Sequence, residues 1–129
     1  MTPTTANILE QFHHETMTWI RSIDFYKQEN SHLMNRLTEV VDGTTDREFL
    51  AQAEHFQNQF IIKDEFMDIL RHDVKEQAKR LLDRQRRREA VLDNELETGQ
   101  LALREQVAYL EKDFTELRND FNRYLVVMH

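Results

Sequence analysis

The N-terminal part of the chain carries apolar side chains at alternating steps of three and four residues. This 3.5-residue repeat is typical of long helices that pack side by side at shallow crossing angles. Asp42-Gly43 follows the repeat, and glycine suits the left-handed residue just beyond a helix. The pattern therefore predicts helix 1 over residues 5–41. Its repeat consists of Leu9, Phe12, Thr16, Trp19, Ile23, Tyr26, Asn30, Leu33, Leu37 and Val40.

A second run with the same rhythm predicts helix 2 over residues 46–90. Thr44, Thr45 and Asp46 are suitable N-caps at its start, and Glu48 has the capping-box spacing from Thr45. Its repeat consists of Phe49, Ala53, Phe56, Phe60, Lys63, Met67, Leu70, Val74, Gln77 and Leu81. Beside this repeat lies a second stripe, formed by Ile62, Phe66 and Ile69. Because a helix that is apolar on two adjacent stripes contacts two neighbours, helix 2 is predicted to be the central helix.

The boundary between helices 2 and 3 is marked by charge, since no glycine or proline follows Gly43 before Gly99. Cations crowd residues 84–88 and acids follow from Asp93, as the backbone dipole favours at a helix end and a helix start. We therefore predict a turn near residues 90–94 and helix 3 over residues 94–128. A turn at Thr98-Gly99 and one continuous helix are the alternatives. The third repeat consists of Leu96, Gln100, Leu103, Val107, Leu110, Phe114, Leu117, Phe121, Tyr124 and Met128.

These repeats predict a single all-α domain, in which three long antiparallel helices form an up-down-up bundle with coiled-coil-like packing. A turn near residue 93 would set Phe121 beside Glu65 and bring together the richest apolar stretches of helices 2 and 3. Asn30, Lys63 and Gln77 interrupt the repeats; each either fixes the register as a buried polar residue or lies at a solvated edge. We expect the core around Trp19, Ile23, Tyr26, Phe60, Phe66, Met67, Leu70, Leu117 and Phe121.

The same register predicts that helix 1 leaves about residues 83–103 uncovered. The leucines of that projecting hairpin would then need a partner, and a second copy of the chain is the simplest one. The predicted partner-binding residues are Arg84, Arg86, Arg87, Arg88, Leu92 and Leu96. Phe25 and Ile61, which lie off the repeats, are further candidates for an exposed self-association face.

The charge of the chain is uneven. Its formal net charge is −7, which argues against general nucleic-acid binding. Residues 75–88 nevertheless hold seven bases against two acids, and residues 93–120 hold eight acids against three bases. In a hairpin these stretches lie side by side, so we interpret them as partners within the chain. Docking of an acidic protein, or of nucleic acid at the arginine-rich tip, is the alternative.

Two Glu-x-x-His spacings, Glu10 with His13 and Glu29 with His32, could each place a carboxylate and an imidazole on one helix face. Both pairs lie on helix 1, about 28 Å apart, so they cannot converge within one chain. Metal binding by these Glu/His pairs is therefore an alternative function.

The composition limits the chemistry available to the chain. The absence of cysteine excludes disulfides, thiolate nucleophiles and thiolate metal sites. Two isolated glycines cannot form a glycine-rich phosphate loop, and the longest uncharged apolar run, Leu125–Met128, is too short to cross a bilayer. We therefore expect a cytoplasmic, non-enzymatic protein without a cofactor. The preferred function is that of a structural or adaptor bundle, with another copy or another helical protein as its partner.

Overall fold

The computed structural model describes residues 5–87 and 93–128, and almost all of them are helical. α1 spans Thr5–Val41, α2 spans Arg47–Arg86 and α3 spans Asn94–Met128. No strand occurs within the described ranges, so the predicted all-α class is confirmed. None of these three helices contains a stretch apolar enough to span a bilayer.

Local signals account for the connection between α1 and α2. Gly43 has a φ of 80°, the left-handed conformation that glycine adopts without a steric penalty. The Asp46 side chain then caps α2, accepting hydrogen bonds from the backbone N–H groups of Glu48 and Phe49 at 3.0 and 3.1 Å. Asp46 is therefore the N-cap among the three predicted candidates, and the capping-box pairing of Thr45 with Glu48 is not the one formed.

The connection between α2 and α3 begins earlier than predicted. α2 ends at Arg86 instead of residue 90, and residues 88–92 lie outside the described part of the chain. Asp93 caps α3 by accepting a hydrogen bond from the Leu96 backbone N–H at 2.8 Å. Gly99 lies within α3, so the alternative turn at that position is wrong, and a continuous helix is excluded by the antiparallel contacts described next.

The three helices form the predicted up-down-up bundle. α2 runs antiparallel to both neighbours, and α1 and α3 run parallel to each other. This arrangement is defined by Asp24–Arg71 and Asn30–Phe60 between α1 and α2, Phe49–Tyr124 and Gln77–Gln100 between α2 and α3, and Glu15–Arg104 and Tyr26–Phe114 between α1 and α3.

The register between α2 and α3 differs from the predicted one. The Phe121 ring packs against Phe56 and Phe60, with ring centroids 5.4 and 5.1 Å away, and not beside Glu65. At the same end, the Tyr124 hydroxyl donates a hydrogen bond to the Phe49 carbonyl oxygen at 2.8 Å. Edge-to-face packing of these rings selects one alignment among several that a regular apolar repeat allows equally well.

In this register, α1 packs against residues that were predicted to project beyond it. Leu9, near the start of α1, packs in one buried cluster with Leu81 and Leu96, and Phe12 packs against the same cluster. Leu103 is buried in the main core. The prediction that α1 leaves this part of the chain uncovered is therefore wrong for Leu96 and Leu103, because the first turns of α1 pack beside them. Residues 88–92 lie outside the described part of the chain.

The core follows the three repeats. Of the nine residues expected at its centre, six are buried (Trp19, Ile23, Phe60, Met67, Leu70 and Phe121) and three are partly buried against them (Tyr26, Phe66 and Leu117). The second stripe of α2 is different. Ile62 is 51% exposed and Ile69 is 63% exposed, so α3 covers this stripe only in part, at Phe66.

Candidate interaction surface

The arginines at the end of α2 are largely engaged within the chain. Arg84 pairs with Asp93 across the hairpin at 2.5 Å, and Arg87 pairs with Asp83 one turn away at 3.3 Å. Arg86 is exposed. The predicted site residues Arg88 and Leu92 lie outside the described residues.

The predicted partner-binding residue Leu96 is inside the bundle. It is 4% exposed and packs against Leu9 and Leu81. Its burial contradicts the uncovered hairpin from which this site was predicted, because Leu9 of α1 packs over it. A role for Leu96 in partner binding stays a prediction. Among the described residues of the basic and acidic stretches, Arg84 pairs with Asp93 across the hairpin, whereas Lys79 pairs with Glu76 inside α2.

A buried polar cluster joins the three helices near this end. The Gln77 side chain of α2 donates hydrogen bonds to the Leu96 carbonyl oxygen at 3.0 Å and to the Gln100 side chain of α3 at 3.2 Å. Gln100 in turn donates to the Phe12 carbonyl oxygen of α1 at 3.2 Å. A side chain at Gly99 would meet the Gln77 amide oxygen at 3.3 Å, so this glycine makes room for the cluster.

Glu15 extends the cluster to the surface. Its carboxylate accepts hydrogen bonds from Gln100 at 2.8 Å and from two guanidinium nitrogens of Arg104 at 2.8 and 3.0 Å. Burial acts to raise the pKa of Glu15, but the hydrogen bonds from Arg104 and Gln100 outweigh it and hold the pKa below its usual range. The carboxylate is therefore stabilised in its charged form and links α1 to α3.

Asn30 resolves one of the ambiguities of the repeat. It is fully buried, and its amide donates a hydrogen bond to the Phe60 carbonyl oxygen of α2 at 2.9 Å. Its Oδ1 accepts no hydrogen bond from the described residues. A buried acceptor without a donor costs stability, whereas the amide hydrogen bond to Phe60 links α1 to α2 at this level.

Lys63 is the first polar residue of the α2 repeat, and it lies at an edge of the core. Its ammonium group forms an ion pair with Asp113 and lies 6.0 Å from the centre of the Tyr109 ring. Burial lowers the pKa of Lys63. The residue is 9% exposed and closes the core on the side where α2 meets α3.

The Glu/His pairs do not assemble into a larger site. His14, His32, His55 and His72 are exposed, and His13 is partly buried. Within residues 5–87 and 93–128, no group of three or more histidine, aspartate or glutamate side chains is arranged to hold a metal ion.

The clearest surface feature is an apolar patch between α2 and α3. The Phe66 ring meets the Tyr109 ring edge to face, with centroids 6.0 Å apart, and Ile62 and Ile69 flank Phe66 one turn away on either side. Tyr109 is 57% exposed. We call Ile62, Phe66, Ile69 and Tyr109 the α2–α3 apolar face. The α2 stripe is visible in the sequence, but we predicted that a neighbouring helix of the bundle covers it. Tyr109 was not predicted, since its only signal is a large aromatic side chain off the α3 repeat.

Phe25 and Ile61, the candidates for a self-association face, are also exposed, at 53% and 41%. Phe25 packs edge to face on Tyr26, with ring centroids 5.6 Å apart. They lie on different helices and outside the α2–α3 apolar face, so Phe25 provides an exposed control position off the face.

No family model, curated protein or solved structure matches this chain.

Proposed function

We propose that the protein is a structural or adaptor bundle that binds another helical protein through the α2–α3 apolar face. The observation that carries this proposal is the exposure of Ile62, Ile69 and Tyr109, each more than half open to solvent, in contact range of the partly buried Phe66. Exposed apolar side chains that cluster on a charged surface mark interaction sites far more often than single ones do.

The polar groups of the interior support the same proposal. Gln77, Gln100 and Glu15 are bonded to one another or to backbone carbonyl groups, an arrangement that positions helices. We therefore assign them to the architecture and assign function to the surface. A non-enzymatic role and a cytoplasmic location, expected from the composition, belong to this proposal.

The proposal can be tested by photo-crosslinking in the cells that make the protein. A benzophenone amino acid placed at position 109 should yield a discrete protein adduct. The adduct should disappear when Ile69→Asp is added and should persist with Phe25→Asp, because Phe25 is comparably exposed but lies off the face. The absence of an adduct, or an adduct insensitive to Ile69→Asp, would overturn the proposal.

A further inference from the structure

We infer that the α2–α3 apolar face seats a fourth helix, and that this helix is a basic amphipathic segment of another protein. The inference rests on the proposed function and adds the chemistry of the partner.

The spacing of the face is that of a helix-packing seam. Ile62, Phe66, Ile69 and Asp73 follow one another at steps of four, three and four residues, the same rhythm as the buried repeat of α2. A second seam of this kind serves a second helical neighbour. α3 covers it only partly, through the contact between Phe66 and Tyr109, so a place for one more helix remains along α2 and α3.

The groove beside this seam is shaped for close approach. Further along the two helices, Ala102 of α3 lines a depression together with Asp73, Glu76 and Arg80 of α2. The small Ala102 side chain lets the backbone of a packing helix come near. On α2, the face and this depression together extend from Ile62 to Arg80, about 27 Å of helix.

The charged residues around the α2–α3 apolar face indicate which kind of helix binds there. Exposed acids lie near the apolar face on both helices, namely Glu65 and Asp73 on α2 and Glu105 and Glu116 on α3, against the bases Lys112 and Arg80. Glu76 is paired with Lys79 and is not counted among them. The Lys63 ammonium group is already paired with Asp113. A helix with an apolar stripe flanked by lysine or arginine complements this border, since such helices dock with their apolar side in a groove and their charges at its rim.

The same border disfavours a second copy of this chain. A two-fold pairing brings the same patch of both molecules together, so each acidic border would face its equivalent. Like charges placed opposite one another weaken association, and the chain already carries a net charge of −7. The partner is therefore a different, basic sequence.

Two synthetic helical peptides of about 18 residues test this inference. They share one leucine stripe and differ only in flanking residues, which are lysine and arginine in one and glutamate in the other. Fluorescence anisotropy with the full chain should show binding of the basic peptide, and roughly 30-fold weaker binding of the acidic one. Ile69→Asp should weaken basic-peptide binding by a similar factor, and Phe25→Asp should change it less than about twofold.

Reversing the charge of two acids beside the face provides a more specific test. Glu65→Lys with Glu105→Lys alters only exposed positions and should shift preference toward the acidic peptide. Equal binding of both peptides, or equal losses from Ile69→Asp and Phe25→Asp, would overturn the inference. The absence of peptide binding would also overturn it. If the chain instead forms a dimer that Ile69→Asp dissociates, the crosslink at position 109 joins two copies. The apolar face then still binds a helical partner, as the proposed function states, but that partner is not a basic sequence.

Discussion

Trp19 shows what a single seam residue contributes. It is 8% exposed and belongs to the main core, where the repeat of α1 places it. Trp19→Ala should lower the free energy of unfolding by roughly 3–5 kcal/mol, because a buried indole leaves a large cavity. Urea denaturation measures the loss. The control is Phe25→Ala, at an exposed position, which should cost less than about 1 kcal/mol. Similar costs for the two variants would contradict the core described above.

Gly99 shows how one residue can be explained only by its neighbour on another helix. Alanine normally stabilises a helix interior by about 1 kcal/mol relative to glycine. At this position the new Cβ would press on the Gln77 amide oxygen at 3.3 Å. We expect Gly99→Ala to gain little or nothing in the wild-type chain and to gain roughly 0.5–1 kcal/mol in a Gln77→Ala background. A double-mutant cycle by chemical denaturation checks this, and identical gains in both backgrounds would disprove the packing argument.

At the scale of the helices, the pairing of Glu15 with Arg104 and Gln100 makes the α1–α3 contact depend on pH. The pKa of Glu15 is lower in the folded chain than its ordinary value of 4.5. Its contribution is therefore complete above the unfolded-state pKa and is lost as pH falls through the folded-state pKa. Glu15→Gln should be less stable than wild type by roughly 1 kcal/mol near neutral pH, and the gap should narrow as the pH falls below the ordinary pKa of 4.5. Denaturation curves at neutral and at acidic pH test the sign, and a gap that widens on acidification would refute it.

The tip of the α2–α3 hairpin provides a matched comparison on one helix. Leu96 is 4% exposed and Leu101 is 49% exposed. Leu96→Glu should destabilise the fold by roughly 3–5 kcal/mol, because it buries an unpaired charge against Leu9 and Leu81. Leu101→Glu should cost under about 0.5 kcal/mol. Thermal unfolding followed by circular dichroism distinguishes this from a purely surface role for Leu96, in which both variants would melt together.

The elements were predictable because their signals are local. A repeat of three and four residues needs only the sequence within a helix, and Gly43 and Asp46 act on the residues beside them. The alignment of α2 with α3 was not predictable in this way. It depends on how the rings of Phe56, Phe60 and Phe121 fit together, and regular apolar repeats leave several alignments open.

At the scale of the whole molecule, the predicted register gave a wrong surface. It placed Leu96 on a projecting tip and Ile62 and Ile69 against a neighbouring helix. In the structure Leu96 is buried, and Ile62 and Ile69 are exposed. The stripe itself was visible in the sequence, since spacing identifies residues on one helix face. Whether a neighbouring helix covers that face depends on how all three helices are aligned in the bundle. A candidate interaction surface is therefore read more reliably from the packed bundle than from any one helix.

The cluster that joins all three helices also bears on the order of folding. Gln77 and Gln100 are 23 residues apart, whereas Gln100 meets Phe12 and Glu15 across 88 and 85 residues. Contacts across such loops close late, so the cluster should be absent from the transition state. Gln100→Ala should therefore accelerate unfolding and leave the refolding rate nearly unchanged, as stopped-flow chevron plots would reveal. A refolding rate that falls in proportion to the stability lost would place the closure of α1 onto α3 before the rate-limiting step.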